Sequence, residues 1–542
     1  MKRREFLQIT AAGSSALAIA GLSSCDQPNT EGKSYNAAEV PPFELDELAI
    51  SDLQEGMKSG KYTARSIVEK YLERIKAIDR NGPAVNSVIE INPDALKIAE
   101  ALDKERRENK VRGLLHGIPV MIKDNIDTAD KMMTTAGSLA LKGSIPAQDS
   151  FVAQKLREAG AIIIAKTNLS EWANFRSTNS TSGWSGRGGQ TNNPYALDRN
   201  PCGSSSGSGA AVSANLCTVA IGTETNGSVV CPSSANGIVG IKPTVGLVGR
   251  SGIIPIAHTQ DTAGPMTRTV RDGAILLGAL TGIDPRDDVT KESSGKSHSD
   301  YTQFLDPQGL NGARIGVACN FFEFHPGVDK LMEDAVSAMK AAGAVIVDEA
   351  NIETSRDYGS AGFDVLLYEF KTDLNKYFAS LPQGNGVRSL QALIEFNEAN
   401  KEAEMPHFGQ EILILAQEKG DLSSPEYISA LKKVKELSRD KGIDATLSKH
   451  KVDAIIAPTG GPAWFTDWIN GDHFGGGSSS PAARAGYPNI TVPAGFIRGL
   501  PVGISIFSGP YQEPMLIKFA YAFEQATKHR KPPQFLPSIK FA

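Results

Sequence analysis

Two glycine- and serine-rich loops within residues 200–244 constrain the fold more strongly than any other part of the chain. The segment reads NPCGSSSGSGAAVSANLCTVAIGTETNGSVVCPSSANGIVGIKPT. Its small residues predict a helix over 209–216 between the loops, and an apolar strand follows at 218–222. Because flexible surface loops are rarely flanked by core-like runs such as AAV and VAIG, we expect a buried, constrained arrangement. Glycine-rich backbone of this kind can turn several N–H groups toward one point, which suits an anion or a developing oxyanion.

Helix and strand patterns alternate along the rest of the chain. Thr63 is placed to cap a helix that carries the apolar stripe Ile67, Val68 and Tyr71. The alternation predicts an α/β fold class: one large domain, residues 45–535, with a mixed central sheet covered by helices on both faces. A chain of 542 residues with 40% hydrophobic side chains is long enough to bury such a core.

Residues 355–450 differ from this pattern because they are helix-like and almost free of strand signals. Four helical patterns rich in Glu and Lys lie at 364–381, 389–403, 409–420 and 425–449. We expect a helical insertion over one edge of the sheet, where it shapes access to a site.

The first 24 residues predict an export signal and not a part of the fold. The basic run KRR precedes a mildly apolar stretch rich in Ala, Gly and Ser, and its paired arginines resemble a twin-arginine signal. The run LSSC resembles a lipobox that ends at Cys25, the expected lipidation site, and residues 25–44 would be a tether. An N-terminal helix is the alternative, but its glycines and serines give it poor helical propensity. We therefore expect an exported envelope or periplasmic protein whose only membrane contact is a lipid anchor.

Four cysteines remain beyond the lipobox: Cys202, Cys217, Cys231 and Cys319. An even count in an exported protein can indicate disulfides. A twin-arginine substrate, however, folds before export in a reducing cytoplasm, so we expect buried free thiols.

Charge and ligand spacing exclude several classes of function. The chain has 56 basic and 61 acidic side chains and no polybasic arm, which argues against a nucleic-acid partner. Its eight histidines are scattered, and no pair has the spacing of zinc ligands. We therefore expect neither a metal nor a cofactor.

The sequence offers two nucleophile–base assignments. The run GSSSG at 203–207 fits the G-x-S-x-G elbow of α/β-hydrolases, with Ser205 as the nucleophile of an esterase. That elbow requires a preceding strand, but residues 192–201 predict a loop.

Lys123 offers another base, because it ends the apolar run GIPVMIK and burial favours a neutral amine. Moving its pKa from about 10.4 to near 7 takes about 4 kcal/mol, which a desolvated site can supply. A lone lysine at a strand end is more often a solvated charge, so the residues alone leave both assignments open.

Four ordered motifs carry a family resemblance: GIPVMIKDN, NPCGSSSGS, GTETNGSVVCPSS and GIKPTVGLV, with PAARAGYPNITVPAGFIRGLPVGIS closing the series. In this order and spacing they resemble the amidase signature family of hydrolases over about residues 45–530. The resemblance implies Lys123 as the base, Ser204 in a cis peptide as the proton bridge and Ser228 as the acylated nucleophile. It also implies an oxyanion hole built from the backbone N–H groups of Thr225, Asn226, Gly227 and Ser228.

The chain departs from the family's usual glycine pattern in two motifs. The usual Gly-Gly-Ser-Ser-Gly-Gly is CGSSSG here, and the usual Gly-Gly-Ser of the nucleophile loop is NGS, ending at Ser228. Neither change touches the three implied catalytic side chains, but each adds a side chain to a loop and so affects its shape. Ser205, beside the bridge, is expected to orient Ser204 by hydrogen bonding.

The resemblance implies amide hydrolysis through an acyl-enzyme. Ser228 is a weak nucleophile at neutral pH, and Ser204 can pass its proton to Lys123 and return it to the leaving amine. Export would separate the chain from aminoacyl-tRNA, which argues against the tRNA-dependent amidotransferase branch. We expect a small-molecule or peptide amide substrate, with the peptide-amidase-like group nearest. The alternatives are a non-catalytic envelope binding lipoprotein on the same fold and the Ser205 esterase.

Several aromatic residues lie in segments that can line a substrate pocket, although aromatic residues in loops more often serve packing. They are Trp172, Trp184, Trp464, Phe465 and Trp468.

Overall fold

The computed structural model of the protein describes residues 40–382 and 387–539. The expected export signal, Cys25 and most of the expected tether lie outside these residues. Within the described ranges, no helix is both long and apolar enough to cross a bilayer.

An 11-stranded sheet runs through the structure, and a separate two-stranded hairpin lies beside it. The strands in chain order are β1 (Val88–Ile91), β2 (Pro119–Lys123), β3 (Ile162–Thr167), β4 (Trp184–Ser185), β5 (Gly189–Gln190), β6 (Val219–Glu224), β7 (Val239–Lys242), β8 (Thr262–Thr267), β9 (Arg314–Val317), β10 (Val345–Val347), β11 (Ala454–Pro458), β12 (Asn489–Ile497) and β13 (Leu500–Phe507). The order across the sheet is β1-β3-β2-β6-β8-β7-β12-β13-β11-β9-β10, and β4 pairs with β5.

The sheet is mixed. Strand β2 is parallel to both of its neighbours, β3 and β6, and β9 is parallel to β10 and β11. The remaining neighbours are antiparallel. Strands β2, β3, β6 and β7 are buried along their whole length, as expected for apolar runs at the centre of an α/β fold. The predicted fold class is confirmed.

Sixteen α-helices lie within the described residues. They are α1 (Ile50–Lys58), α2 (Ala64–Arg74), α3 (Ala95–Arg107), α4 (Phe151–Glu158), α5 (Ser206–Ser213), α6 (Val230–Ala235), α7 (Val270–Leu280), α8 (Pro326–Ala341), α9 (Ala361–Ser380), α10 (Leu390–Ala399), α11 (Lys401–Glu404), α12 (Glu411–Gln417), α13 (Pro425–Ser438), α14 (Asp444–His450), α15 (Ser479–Ala485) and α16 (Glu513–Thr527).

Helix α2 forms where the cap and stripe predict it. The Thr63 side chain accepts the backbone N–H of Ser66, which satisfies one of the free donors of the first turn. The stripe of Ile67, Val68 and Tyr71 is buried in the main core. The cap and the spacing of the stripe therefore suffice to place this helix.

Helices α9 to α14 follow one another between β10 and β11, without an intervening strand. Side chains of this segment, among them Phe370 and Leu374, form a second apolar cluster with Trp172, Phe175 and Ile254. The helical segment is thus anchored on loops that lie near the catalytic candidates, and this placement brings it to the edge of a cavity described below.

Candidate active site

Two neighbouring parallel strands bring the catalytic candidates to one edge of the sheet. Strand β2 ends at Lys123, and β6 ends at Glu224, directly before the nucleophile loop 225–228. The carboxyl ends of adjacent parallel strands meet at the same edge. The sheet topology therefore places the Lys123 amine beside the loop that carries Ser228.

The Lys123 side chain is fully buried and has a complete set of hydrogen-bond acceptors. Its Nζ atom lies 2.8 Å from Ser204 Oγ, 2.8 Å from Thr223 Oγ1 and 3.3 Å from the Thr223 carbonyl oxygen. Burial lowers the pKa of the amine to about 7, while the negative charges of Asp261 and Glu224 oppose that shift. Near neutral pH, a large fraction of Lys123 is therefore neutral and able to accept a proton.

Ser204 contacts Lys123 and directly precedes Ser205, whose backbone contacts the nucleophile loop. It follows Gly203 through a cis peptide bond and is fully buried. The next residue, Ser205, donates its backbone N–H to the Ser228 carbonyl at 3.2 Å. The structure thus brings the implied base, bridge and nucleophile segments together.

The nucleophile candidate Ser228 is 8% exposed, at the edge of the buried site. Among the described residues, its hydroxyl has no hydrogen-bond partner, and the N–H groups of Asn226 and Ser228 have none. The Gly227 N–H instead donates to Glu224 Oε1 at 2.8 Å, which corrects its expected place in the oxyanion hole. The available donors of the loop therefore include Asn226 and Ser228.

Two acidic residues that sequence reasoning missed shape this loop. Glu224 accepts the N–H of Gly227 and, through Oε2, the N–H groups of Val229 and Val230 at 2.8 and 3.0 Å. Asp261 accepts the Thr225 hydroxyl at 2.5 Å. Glu224 could have been recognised from the sequence, because it is an acidic residue between an apolar strand and a Gly-Ser loop. Nothing in the sequence around Asp261 indicates that it contacts Thr225.

Ser205 has the geometry of a supporting residue. Its Oγ atom lies 3.1 Å from both the backbone N and the carbonyl oxygen of Thr223, and the side chain is fully buried. Both hydrogen-bonding functions of the hydroxyl are used by the end of β6, so the expected hydrogen bond that would orient Ser204 is not formed. Ser205 instead ties its own segment to Thr223. The residues before it form a loop and not a strand, which argues against the nucleophile elbow.

A disulfide joins Cys202 to Cys231, so the expectation of four free thiols is wrong for this pair. The fold brings their Cα atoms to 6.0 Å, within the usual range for a disulfide, across 29 residues of sequence. Cys217 and Cys319 are free. The expectation failed because it followed from the compartment of folding alone, whereas the meeting of the two catalytic loops decides which thiols can pair.

A cavity of about 490 Å³ lies against the end of β6. Asn125, Thr223 and Thr225 line it on the catalytic side, and helix α9 contributes Asp373 and Tyr377. Asn125 donates to Thr223 Oγ1 at 3.0 Å, while its own side-chain oxygen has no partner among the described residues. The cavity offers room for a substrate beside the nucleophile loop, and the helical segment supplies one of its walls.

His258 and Asp373 line this cavity, and Glu369, also on α9, lies close to the His258 ring. His258 Nδ1 is 2.7 Å from Asp373 and 3.7 Å from Glu369. Their ligand atoms are close enough to hold a metal ion. Both carboxylate oxygens of Glu369 already accept hydrogen bonds from Thr259 and Tyr427, so Glu369 has a structural role. More than a hundred residues separate His258 from its partners, so no short-range spacing could indicate the cluster.

The five aromatic candidates divide into two groups. Trp172 and Trp184 are buried. Trp464 is partly exposed, and Phe465 and Trp468 are half exposed.

The exposed group belongs to a loop, residues 459–478, that reaches both catalytic serine segments. Asp472 of this loop accepts the Ser182 hydroxyl, and Ser182 lies beside Gly203. The next residues after the loop, Ser479 and Ser480, hydrogen bond with Asn226 at 2.7 and 3.0 Å. The loop therefore flanks the site and presents aromatic side chains to solvent.

Comparison with known proteins identifies the family of this chain. The amidase family model matches residues 66–517. A probable amidase of Arabidopsis thaliana is 42% identical over 503 residues, which cover 91% of this chain and 93% of that protein. The X-ray structure of native peptide amidase from Stenotrophomonas maltophilia is similar with a TM-score of 0.86 and 49% identity, over 91% of this chain and 99% of that one. The crystal structure of an amidase family protein from Bacillus anthracis has a TM-score of 0.82 and 35% identity, over 90% of this chain and 93% of that one. The chain belongs to the amidase family, the amidase signature hydrolases.

Proposed function

We propose that this protein is a serine amidase that hydrolyses the C-terminal carboxamide of peptide amides and releases ammonia. The observation that carries the proposal is the hydrogen bond from Lys123 to Ser204 in a buried site. Beside it, the Ser228 hydroxyl has no partner among the described residues and remains available for attack. The similarity to peptide amidase and to probable amidases supports amide hydrolysis as the reaction class.

Acylation begins when the Ser228 hydroxyl attacks the amide carbonyl carbon. As the new C–O bond forms, the Ser228 proton passes to Ser204 Oγ and the Ser204 proton passes to neutral Lys123. The carbonyl oxygen becomes an oxyanion, and the N–H groups of Asn226 and Ser228 are available to receive it. Burial of the lysine serves this step, because a permanently charged amine cannot accept the proton.

Collapse of the tetrahedral intermediate breaks the C–N bond. The proton held on Lys123 returns through Ser204 to the leaving nitrogen, which departs as ammonia. Water then attacks the acyl carbon and gives its proton to the same relay, and Ser228 leaves as a hydroxyl with that proton. The product is a carboxylic acid, and the enzyme regains its starting protonation.

The substrate assignment follows from the space and polarity around the site. The cavity of about 490 Å³ is larger than a simple amide needs. Separately, Asp472 of the aromatic loop 459–478 contacts Ser182, and Ser479 directly after the loop contacts Asn226. A peptide offers both a polar backbone and side chains that can use these surfaces. The peptide amidase similarity points to the same class.

The direct test is ammonia release from a panel of amidated dipeptides, aryl amides and fatty amides. We expect the highest kcat/KM for the peptide amides and none for the Ser228→Ala variant. Preference for aryl or fatty amides would overturn the substrate assignment while leaving amide hydrolysis intact. A folded protein that is inert to every amide and to a fluorophosphonate probe would support the non-catalytic binding protein instead.

We further propose that the protein is exported and held at the envelope by a lipid on Cys25. The twin-arginine-like and lipobox-like motifs support this assignment. The full-length protein should fractionate with membranes, and the Cys25→Ala variant should appear in the soluble fraction. Equal partitioning of the two proteins would contradict the anchor.

A further inference from the structure

The Cys202–Cys231 disulfide joins the two segments that carry the catalytic serines. Cys202 lies two residues before Ser204, and Cys231 lies three residues after Ser228 in the first turn of α6. The bond thus connects the bridge segment and the nucleophile segment by a covalent path that bypasses the strand and helix between them.

Each cysteine is held by hydrogen bonds within its own catalytic segment. The Cys202 N–H donates to Asn200 Oδ1 at 2.8 Å, and its carbonyl accepts the Ser206 hydroxyl at 2.6 Å. The Cys231 N–H donates to the Gly227 carbonyl at 2.8 Å, which closes the turn that contains Ser228. A constraint on the two sulfur atoms is therefore transmitted to both serines.

Two direct hydrogen bonds also link the segments. The Ser205 N–H reaches the Ser228 carbonyl at 3.2 Å, and Asn236 Nδ2 reaches the Pro201 carbonyl at 2.9 Å. These bonds keep the segments adjacent without the disulfide, but they leave the spacing of the two hydroxyls less constrained. Proton transfer from Ser228 to Ser204 is sensitive to that spacing.

We propose that the disulfide is a positioning element for the acylation step, and that its oxidation state sets the activity of the enzyme. This inference rests on the proposed function. In the oxidised protein, the sulfur–sulfur bond holds Ser204 in register with Ser228. A dithiol reductant breaks that bond, and its two electrons and two protons convert the cysteines to thiols. A thiol–disulfide oxidoreductase with an accepting disulfide, or oxidised glutathione, removes the same electrons and protons in the reverse direction.

The exposure of the four cysteines is consistent with thiol–disulfide exchange at Cys202 and Cys231 alone. Cys231 is partly exposed, so an external thiolate can attack its sulfur, whereas Cys202 is 4% exposed. Cys217 is fully buried, and burial raises the pKa of its thiol to about 12, which keeps it unreactive. Cys319 is partly exposed and provides a control thiol outside the catalytic segments.

The test is the rate of Ser228 acylation by a fluorophosphonate probe, measured on the full chain before and after treatment with dithiothreitol. Thiol titration verifies that two additional cysteines have been released, and near-ultraviolet circular dichroism verifies that the fold persists. We expect reduction to slow acylation by roughly 10- to 100-fold, since small misplacements of reacting groups have effects of that size. Oxidised glutathione should restore the rate.

Two variants separate positioning from general stability. The Cys202→Ala/Cys231→Ala double variant should acylate slowly and should not respond to the reductant, while Cys319→Ala should behave as the wild type does. An unchanged acylation rate in fully reduced, folded protein would overturn the inference. A rate that falls only in parallel with the native circular dichroism signal would overturn it as well.

The same measurement separates this inference from the proposed function. Fluorophosphonate labelling reports the nucleophile and not the natural substrate. An enzyme that labels rapidly when oxidised but hydrolyses no peptide amide would contradict the substrate assignment, while the ratio of labelling rates would still decide the role of the disulfide.

Discussion

The Lys123 amine lies 2.8 Å from the Ser204 hydroxyl, and both side chains are completely buried. A charged ammonium group is strongly disfavoured in such surroundings, and burial lowers its pKa to about 7. This relationship makes a lysine usable as a base at physiological pH, and it has two measurable consequences.

The first concerns the pH dependence of catalysis. Neutral Lys123 predominates above about pH 7, so we expect kcat/KM for an amide to rise with pH and to level off above that value. Lys123→Ala should lack this rising limb and should lower kcat/KM by about 10²- to 10⁴-fold. Stopped assays of ammonia release between pH 5 and 9, a range of roughly two units on either side, give the profile. If the rising limb persists in Lys123→Ala, a group other than Lys123 is responsible for it.

The second prediction concerns Asp261, whose negative charge opposes the lowering of the Lys123 pKa. Asp261→Asn removes that charge, so the pKa of Lys123 should fall and the rising limb should move to lower pH. Thr225→Val is the comparison variant, because it breaks the 2.5 Å hydrogen bond to Asp261 but keeps the carboxyl group. Loss of that hydrogen bond raises the pKa of Asp261 from about 6, so part of the charge persists near neutral pH. Both variants should lower kcat, and Asp261→Asn should move the limb further than Thr225→Val. An equal shift in the two profiles would indicate a loop rearrangement and not a charge effect.

The third prediction separates the two serine assignments. Ser205→Ala should still be labelled by a fluorophosphonate, and it should lower the free energy of unfolding by about 1–3 kcal/mol, because two backbone groups of Thr223 lose a buried partner. Ser228→Ala should not be labelled. Mass spectrometry of the labelled proteins identifies the modified residue. Labelling that persisted in Ser228→Ala and disappeared in Ser205→Ala would restore the elbow assignment.

The fourth prediction concerns a buried carboxyl that ties the helical segment to the core. Glu171 pairs with Arg176, which also donates to the carbonyl of Glu404 on α11. Burial raises the pKa of Glu171 to about 8, and Arg176 opposes this shift. The folded protein therefore holds a proton that the unfolded chain releases above about pH 4.5, so the free energy of unfolding should fall as pH rises from there to about 8.

Substitution of Glu171 by Gln should flatten this decline, since the amide does not titrate. Urea midpoints measured across the same pH window provide the test. Glu398→Gln is the control, because Glu398 has a side chain that is 64% exposed. If Glu171→Gln and the wild type decline in parallel, the titrating group lies elsewhere.

The fifth prediction concerns the aromatic loop 459–478. Phe474 is 52% exposed and packs edge-on against Trp464 at 5.9 Å. If peptide substrates lie along this loop, Phe474→Ala should raise KM for an amidated dipeptide by about fivefold, which corresponds to about 1 kcal/mol of lost apolar contact. KM for acetamide should not change. Val111→Ala alters a similarly exposed apolar residue after α3 and serves as the control. If Phe474→Ala and the wild type have equal KM values for the dipeptide, the peptide does not bind along this loop.

Much of the site could be predicted from short segments. Lys123 ends a run of apolar residues, and a lysine in that position is desolvated once the run becomes a central strand. The Gly-Ser loops around Ser204 and Ser228 indicate tightly constrained backbone wherever they occur. The apolar run before Lys123 and the constrained backbone of the loops depend on neighbours within a few residues, so short sequence motifs predict them.

The partners of these residues could not be predicted in the same way. Asp261 reaches Thr225 across 36 residues, and Asp373 reaches His258 across 115. The free-thiol prediction for Cys202 and Cys231 is wrong, because disulfide formation depends on the distance between two loops and not on the compartment of folding alone. No local pattern encodes which side chains face one another across a folded interior.

The chain's apolar runs and helix signals were enough to specify an α/β fold, because hydrophobic periodicity acts through local geometry. Strand order, by contrast, decided the chemistry. Strands β2 and β6 became parallel neighbours, which set Lys123 beside the Ser228 loop and buried its amine. A lysine in the extended chain has an ordinary pKa near 10.5, and only its removal from water in the assembled sheet lowers that value to about 7. The residues required for a base and a nucleophile are present in the sequence, but desolvation and proximity arise only in the tertiary structure.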